Sequence, residues 1–135
     1  MNDEEMKAFL DRPMTAVVAT VDRNGAAHSV PVWFAFRDGV FIVWTDTNRQ
    51  WVKNARANPR MSITVAEHEP PFAAVVARGK AEVLDDPPGL AADVRKIVER
   101  YIPAGEVEAY IEPWDTLRTI VSIVPVTTRA WGRGY

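Results

Sequence analysis

Two dipeptides constrain this chain more than anything else in it. Asn24-Gly25, within Asp22-Arg23-Asn24-Gly25, and Asp38-Gly39 are turn signals, because both accept the positive φ angles that tight hairpins need. Around them lie three apolar, β-branched runs: residues 14–21 (MTAVVATV), 26–36 (AAHSVPVWFAF) and 40–44 (VFIVW). Strands joined by turns this short are antiparallel neighbours, since a parallel pair needs a crossover of about a dozen residues or more. The chain therefore commits early to a β-meander. Pro31, inside the second run, predicts a sheet edge or a bulge there.

Three further strands follow at residues 61–66 (MSITVA), 72–84 (FAAVVARGKAEVL) and 118–126 (RTIVSIVPV), with Gly79 marking a bulge or bend in the second of them. Six strands are enough to curl into a small barrel. The helices flank them. Asn2 or Asp3 caps a short one ending near Leu10. Asp85-Asp86-Pro87-Pro88 opens an amphipathic one whose stripe is Leu90, Val94, Ile97, Val98 and Tyr101. Residues 104–110 add a helical turn, and 130–135 read as a tail. The expected fold is mainly β with flanking helices, one domain over residues 1–135.

Composition narrows the chemistry. The net charge is −2, so the strongly basic balance of a nucleic-acid-binding domain is missing. With no cysteine, disulfides, iron–sulfur clusters and thiol catalysis are excluded. The start, MNDEEMKAFL, is too acidic and polar for a signal peptide, and no apolar run approaches the roughly 20 residues of a membrane span. These features predict a cytoplasmic protein with neither a membrane nor a nucleic acid as partner.

The segment 45–60, TDTNRQWVKNARANPR, concentrates the functional signal. Thr45, Asp46, Thr47 and Asn48 are cap and turn residues, and a helix from about Arg49 to Ala57 ends at Asn58-Pro59. Arg49, Lys53 and Arg56 share one face at i, i+4 and i+7, with Trp51, Val52 and Ala55 opposite. A helix N-terminus with threonine hydroxyls and two nearby cations suits a phosphate; the same spacing also describes an ordinary solvated face. Trp33, Phe34 and Trp44 read either as core or interface, or as a wall against a flat heteroaromatic ring. Alternation sends Trp33 and Phe34 to opposite sides of their strand.

Protein-borne chemistry is thin. His28 and His68 have no partner at metal-ligand spacing, Ser29 lacks a nucleophile-elbow context, and there is neither a dinucleotide fingerprint nor a P-loop. No catalytic side chain and no metal ligand is assigned. An enzyme of this composition relies on a cofactor.

The order of these pieces resembles the split β-barrel flavoproteins related to pyridoxamine 5′-phosphate oxidase, including the small members that use the deazaflavin coenzyme F420. The matching stretches are residues 19–34 (ATVDRNGAAHSVPVWF), the T-D-T-N-R turn after the third strand, 53–60 (KNARANPR), 77–83 (ARGKAEV) and 123–132 (IVPVTTRAWG). The resemblance implies a six-stranded antiparallel split barrel that forms a homodimer, with F420 or FMN bound at the subunit interface. It places Pro31, Val32, Trp33 and Phe34 near the cofactor ring. It places Thr45, Thr47, Arg49, Gln50, Trp51, Lys53 and Asn54 around the phosphate. Trp131 and Arg133 are implied to reach the cofactor from the C-terminal segment of the partner subunit. Many relatives carry a lysine three residues before the asparagine matching Asn54; here that residue is Trp51, so Arg49 and Lys53 are left to grip the phosphate.

The resulting expectation is an oxidoreductase that transfers a hydride between F420 or FMN and a small organic substrate. Length and an Ala/Arg/Val-rich composition lean towards F420, although no residue distinguishes the two rings. The alternatives are a binding module that holds a flavin-like or other anionic aromatic molecule without turnover, and a cofactor-free interaction protein whose tryptophans are interface.

Overall fold

A computed structural model describes residues 1–134. The elements run α1 (Asp3–Leu10), β1 (Ala16–Val21), β2 (Ala27–Val32), β3 (Ala35–Arg37), β4 (Val40–Thr45), α2 (Gln50–Ala57), β5 (Arg60–Ala66), β6 (Ala74–Asp85), α3 (Leu90–Val98), α4 (Val107–Ile111) and β7 (Thr119–Trp131). Single 3₁₀ turns flank α4 at Ala104–Glu106 and Glu112–Trp114. No helix among the described residues is long and apolar enough to cross a membrane.

The local signals act as chemistry dictates. At α1, Asn2 Oδ1 accepts the Glu5 N–H at 2.8 Å while Glu5 Oε1 accepts the Asn2 N–H at 3.0 Å, a reciprocal capping box. Arg37 pairs with Val40 across a two-residue turn in which Asp38 and Gly39 both have positive φ, 53° and 79°. The first hairpin is looser. Val21 pairs with Ala27, so the connection is five residues, held by Asp22 Oδ1 accepting the N–H groups of Asn24 and Ala26.

The strand count differs from the expected six. All seven strands form one antiparallel sheet in the order β2-β1-β5-β6-β7-β4-β3. The run 26–36 is not one strand but two, broken at Trp33-Phe34. The break is held from outside the segment. The Tyr101 hydroxyl, just past α3, donates to Met14 O at 2.8 Å and accepts the Phe34 N–H at 3.2 Å, a donor that a continuing strand would have spent on its ladder. The Arg100 guanidinium, which donates to the α1-end carbonyls of Leu10 and Arg12, lies 4.9 Å from the Phe34 ring centre. The sheet is consequently open: its two edge strands, β2 and β3, are consecutive in sequence and joined only through this bend.

β7 also exceeds its expected length. It runs on through residues 127–131, which pair with the first half of β6. A register shift between Arg78 and Gly79 makes this possible. A Cβ at Gly79 would lie 2.1 Å from the Val124 carbonyl oxygen, so only glycine lets the two backbones approach this closely.

The sheet packs two apolar clusters. The larger fills its concave side with Val18, Phe34, Phe41, Ile63, Val75 and Val121, closed by Leu10 of α1 and Val52 of α2. The smaller lies beneath α3 and α4, where Leu90, Val94, Ile97, Val98 and Val107 cover Ile42 and Ile120. β4 serves both: Phe41 and Val43 point into the first cluster and Ile42 into the second.

Candidate functional site

The site is built where β4 runs into α2. Asp46 turns the chain: its Oδ1 accepts the Asn48 N–H at 3.0 Å and its carbonyl accepts the Arg49 N–H at 3.1 Å. Arg49 is the N-cap of α2, and no side chain caps that first turn. On the inner side of α2, Trp51, Val52 and Ala55 are buried, which fixes the rotation of the helix and turns Arg49 and Lys53 to solvent.

A cleft of about 300 Å³ opens beside this turn. Pro31, Val32 and Trp33 from the end of β2 form one wall, and Thr45, Arg49 and Trp51 the other. Six sequence-predicted residues thus meet in one cavity, although β2 and α2 are separated by the whole of β3 and β4. Val30, Trp44, Asp46 and Leu117 complete the lining. Of these, Trp44 was visible in the sequence as part of the aromatic excess and Asp46 as a turn residue; Leu117 carries no signal of its own and is placed by its carbonyl, which accepts the Trp44 Nε1–H at 2.6 Å.

The remaining predicted residues go elsewhere. Phe34 is fully buried in the larger cluster and does not line the cleft. Thr47 accepts a hydrogen bond from the Arg56 guanidinium at 2.8 Å, and Arg56 also pairs with Asp85. That ion pair, after a hydrogen bond from the Thr119 hydroxyl, holds the Asp85 carboxyl below its ordinary value. Gln50 donates to Asn54 Oδ1 at 2.8 Å, and buried Asn54 donates to Thr20 Oγ1 at 3.2 Å, tying α2 to β1. Lys53 stays exposed one turn beyond Arg49. Among the described residues neither Arg49 nor Lys53 has an ion-pair partner, in contrast to Arg56.

Trp131 and Arg133 are not brought to the cleft within one chain. Thr119, the first residue of β7, pairs with Thr45 at the cleft, whereas Trp131, its last, pairs with Ala74. Twelve residues of strand, roughly 40 Å of path, separate the two ends.

Two further clefts flank the molecule's surface. One, of about 230 Å³, shares Trp33, Trp44, Arg49 and Leu117 with the first and adds Ile97, Tyr110 and Trp114. Another, of about 500 Å³, lies on the outer face of β5 and β6, where Arg60 stands directly across from Lys80 and Arg78 lies one pleat away. Among the described residues, no three or more His, Cys, Asp or Glu side chains gather as a metal site.

Comparison with known proteins places this geometry in context. The family model described as pyridoxamine 5′-phosphate oxidase matches residues 2–132. A conserved hypothetical protein from Mycobacterium tuberculosis is 26% identical and superposes with a TM-score of 0.84 over 98% of this chain and 85% of its own. An F420 reductase is also 26% identical, with a TM-score of 0.72 over 91% of this chain and 94% of its own. A FAD-binding protein from Mesorhizobium loti, 19% identical with a TM-score of 0.72 over 96% of this chain and 94% of its own, shares the fold. No curated protein matches the sequence.

Proposed function

This chain belongs to the pyridoxamine 5′-phosphate oxidase family, and from that membership we propose that it is an oxidoreductase that binds F420 or FMN between two copies of itself. The observation that carries the reading is the cleft in which Pro31, Val32, Trp33, Thr45, Arg49 and Trp51 converge beside the uncapped first turn of α2. Its electrostatics fit a phosphate. The N-terminal end of α2 has no side-chain cap, and two exposed cations, Arg49 and Lys53, neither with an ion-pair partner among the described residues, stand at it. Trp51 supplies apolar wall where many relatives have a lysine, so charge recognition falls to Arg49 and Lys53.

When bound, the cofactor supplies the hydride chemistry. The chain's own part is placement. Trp33 is held by stacking on Tyr101 at 4.5 Å between ring centres, and Trp44 by its bond to Leu117, so the aromatic wall is rigid before any ligand arrives. One copy offers about 300 Å³, at the lower end of ordinary ligand pockets of about 300–1,000 Å³. A second copy completes it in this reading, by bringing its Trp131 and Arg133. Val17, Val124 and Val126 are exposed at 44%, 46% and 70% on the sheet's outer face and give such a copy apolar area to cover. An interface of this kind commonly exceeds about 2,000 Å².

Calorimetric titration of the folded protein with FMN and with F420 tests the reading. Arg49→Ala and Lys53→Ala should each weaken binding about tenfold to a hundredfold, the weight of one charge-assisted hydrogen bond of roughly 1.5–3 kcal/mol. Arg56→Ala, whose guanidinium is committed to Thr47 and Asp85, should change it far less. Parent-like affinity in both Arg49 and Lys53 variants, or a protein that sediments only as monomer at micromolar concentration, would sink the interfacial phosphate site.

A further inference from the structure

The smaller cleft, which shares Trp33, Trp44, Arg49 and Leu117 with the first, has a composition of its own. Trp33, Trp44, Tyr110 and Trp114 wall about 230 Å³, Ile97 and Leu117 fill in between them, and among the described residues Arg49 is the only charged one in the lining. The aromatic polar handle of Trp44 is already satisfied by Leu117, which leaves its ring as apolar surface. Trp33 is pinned against Tyr110 at 5.4 Å as well as against Tyr101. Trp114, by contrast, is 46% exposed at the rim, a large aromatic in water on the 3₁₀ turn Glu112–Trp114. An aromatic box with no cation in its wall would suit a quaternary ammonium. Here Arg49 disfavours that choice and favours an anion, because it has no ion-pair partner among the described residues. The volume is below that of a pocket for a drug-sized ligand, which limits the occupant to one or two fused rings.

We propose that this cleft is a separate subsite for a small planar aromatic carrying one negative charge, with Arg49 taking the charge and Trp114 closing over the ring from the rim. Arg49 lines both clefts, so the same side chain borders the cofactor cleft and this ligand's cleft. The proposal names a class for the second ligand of the centre, and it rests on the cofactor reading only for the use to which that ligand is put.

The test is calorimetric titration of the full chain with 1-naphthoate and, in parallel, with the neutral 1-naphthalenemethanol. Parent protein should prefer the anion. Trp114→Ala, at an exposed residue whose loss leaves no cavity in the core, should weaken naphthoate about fivefold, the usual scale of one aromatic contact. It should leave FMN or F420 affinity unchanged, because Trp114 does not line the cofactor cleft. Arg49→Gln should erase the preference for the anion. No naphthoate binding by the parent, or equal binding by parent and Trp114→Ala, overturns the proposal. So does an equal loss of naphthoate and cofactor in Trp114→Ala, which would make the two clefts one site. Naphthoate binding that depends on Trp114, in a protein that takes up neither FMN nor F420, supports the subsite while the cofactor reading falls.

Discussion

The two apolar clusters differ in how they are enclosed. The larger is wrapped by the curved sheet, with α1 and α2 over its ends, and its members come from nearly every strand. The smaller is a patch of sheet covered by α3 and α4 alone, and it runs out at Trp33 and Trp44, where both candidate clefts begin. An enclosed cluster fixes the frame, whereas a one-sided cluster leaves an aromatic margin facing water. The candidate site therefore sits at the seam, on a strand, β4, that is buried on both faces.

This contrast can be broken experimentally. The largest effect is expected from Phe34→Ala. Phe34 is fully buried against Phe41, 5.9 Å away between ring centres, so its truncation should cost about 3–5 kcal/mol in denaturant unfolding. Ile97→Ala, at 1% exposure in the smaller cluster, should cost about 2–3 kcal/mol, near the low end for such truncations because α3 can settle onto the sheet. Native-state hydrogen exchange should show that loss concentrated in α3 and α4, with β5 and β6 still protected. If both variants lose protection uniformly, the two clusters are a single cooperative unit and the distinction fails.

Tyr101→Phe sharpens the comparison, because the Tyr101 hydroxyl links the smaller cluster to the bend of the larger. Losing its bonds to Met14 and Phe34 should cost about 1–3 kcal/mol and loosen Trp33, readable as a shift in tryptophan emission. The smallest effect concerns pH. Glu67 is held below its ordinary value of 4.5, first by the Ala73 N–H and then by Arg12, and Asp85 below 3.8, first by Thr119 and also by Arg56. A depressed carboxylate stabilises the fold fully above its unfolded value, and that contribution is lost as pH falls through the folded one. Stability should accordingly be flat above about pH 5 with respect to these two groups and decline below pH 4. The decline should be shallower in Glu67→Gln, and an unchanged acid limb would remove Glu67 from the account.

How much of this was legible depended on the range of each interaction. The turn at Asp38-Gly39, the cap at Asn2 and the rotation of α2 are decided within a few residues, and they read correctly; Glu5's return bond to the Asn2 N–H was not read. The break at Trp33-Phe34 is not local: its determinant, Tyr101, lies 67 residues beyond Phe34, and period-two alternation carries no trace of it. The same holds for residues 127–131: the expected strand stops at residue 126 and the expected tail starts at 130, whereas the shift at Gly79 supplies the whole stretch with a partner strand. At α2, helical spacing grouped Arg49, Lys53 and Arg56 alike, because spacing does not reveal that Asp85 waits 29 residues beyond Arg56; in the structure Arg49 lines the cleft and Lys53 stays exposed one turn on. Trp114 carries no site signal in the sequence, and only the course of the chain after α4 sets it at the rim of a cleft.

The bend at Trp33-Phe34 also bears on self-association of the unwanted kind. A sheet edge normally invites a foreign strand to add to it. Here both edges belong to one short piece of chain. On β2 the edge includes Pro31, which has no N–H to offer, and on β3 it is three residues long. A stray strand therefore meets a stretch with a missing donor on one side and too few rungs on the other. The opening at the seam thus gives an aggregating chain little to extend.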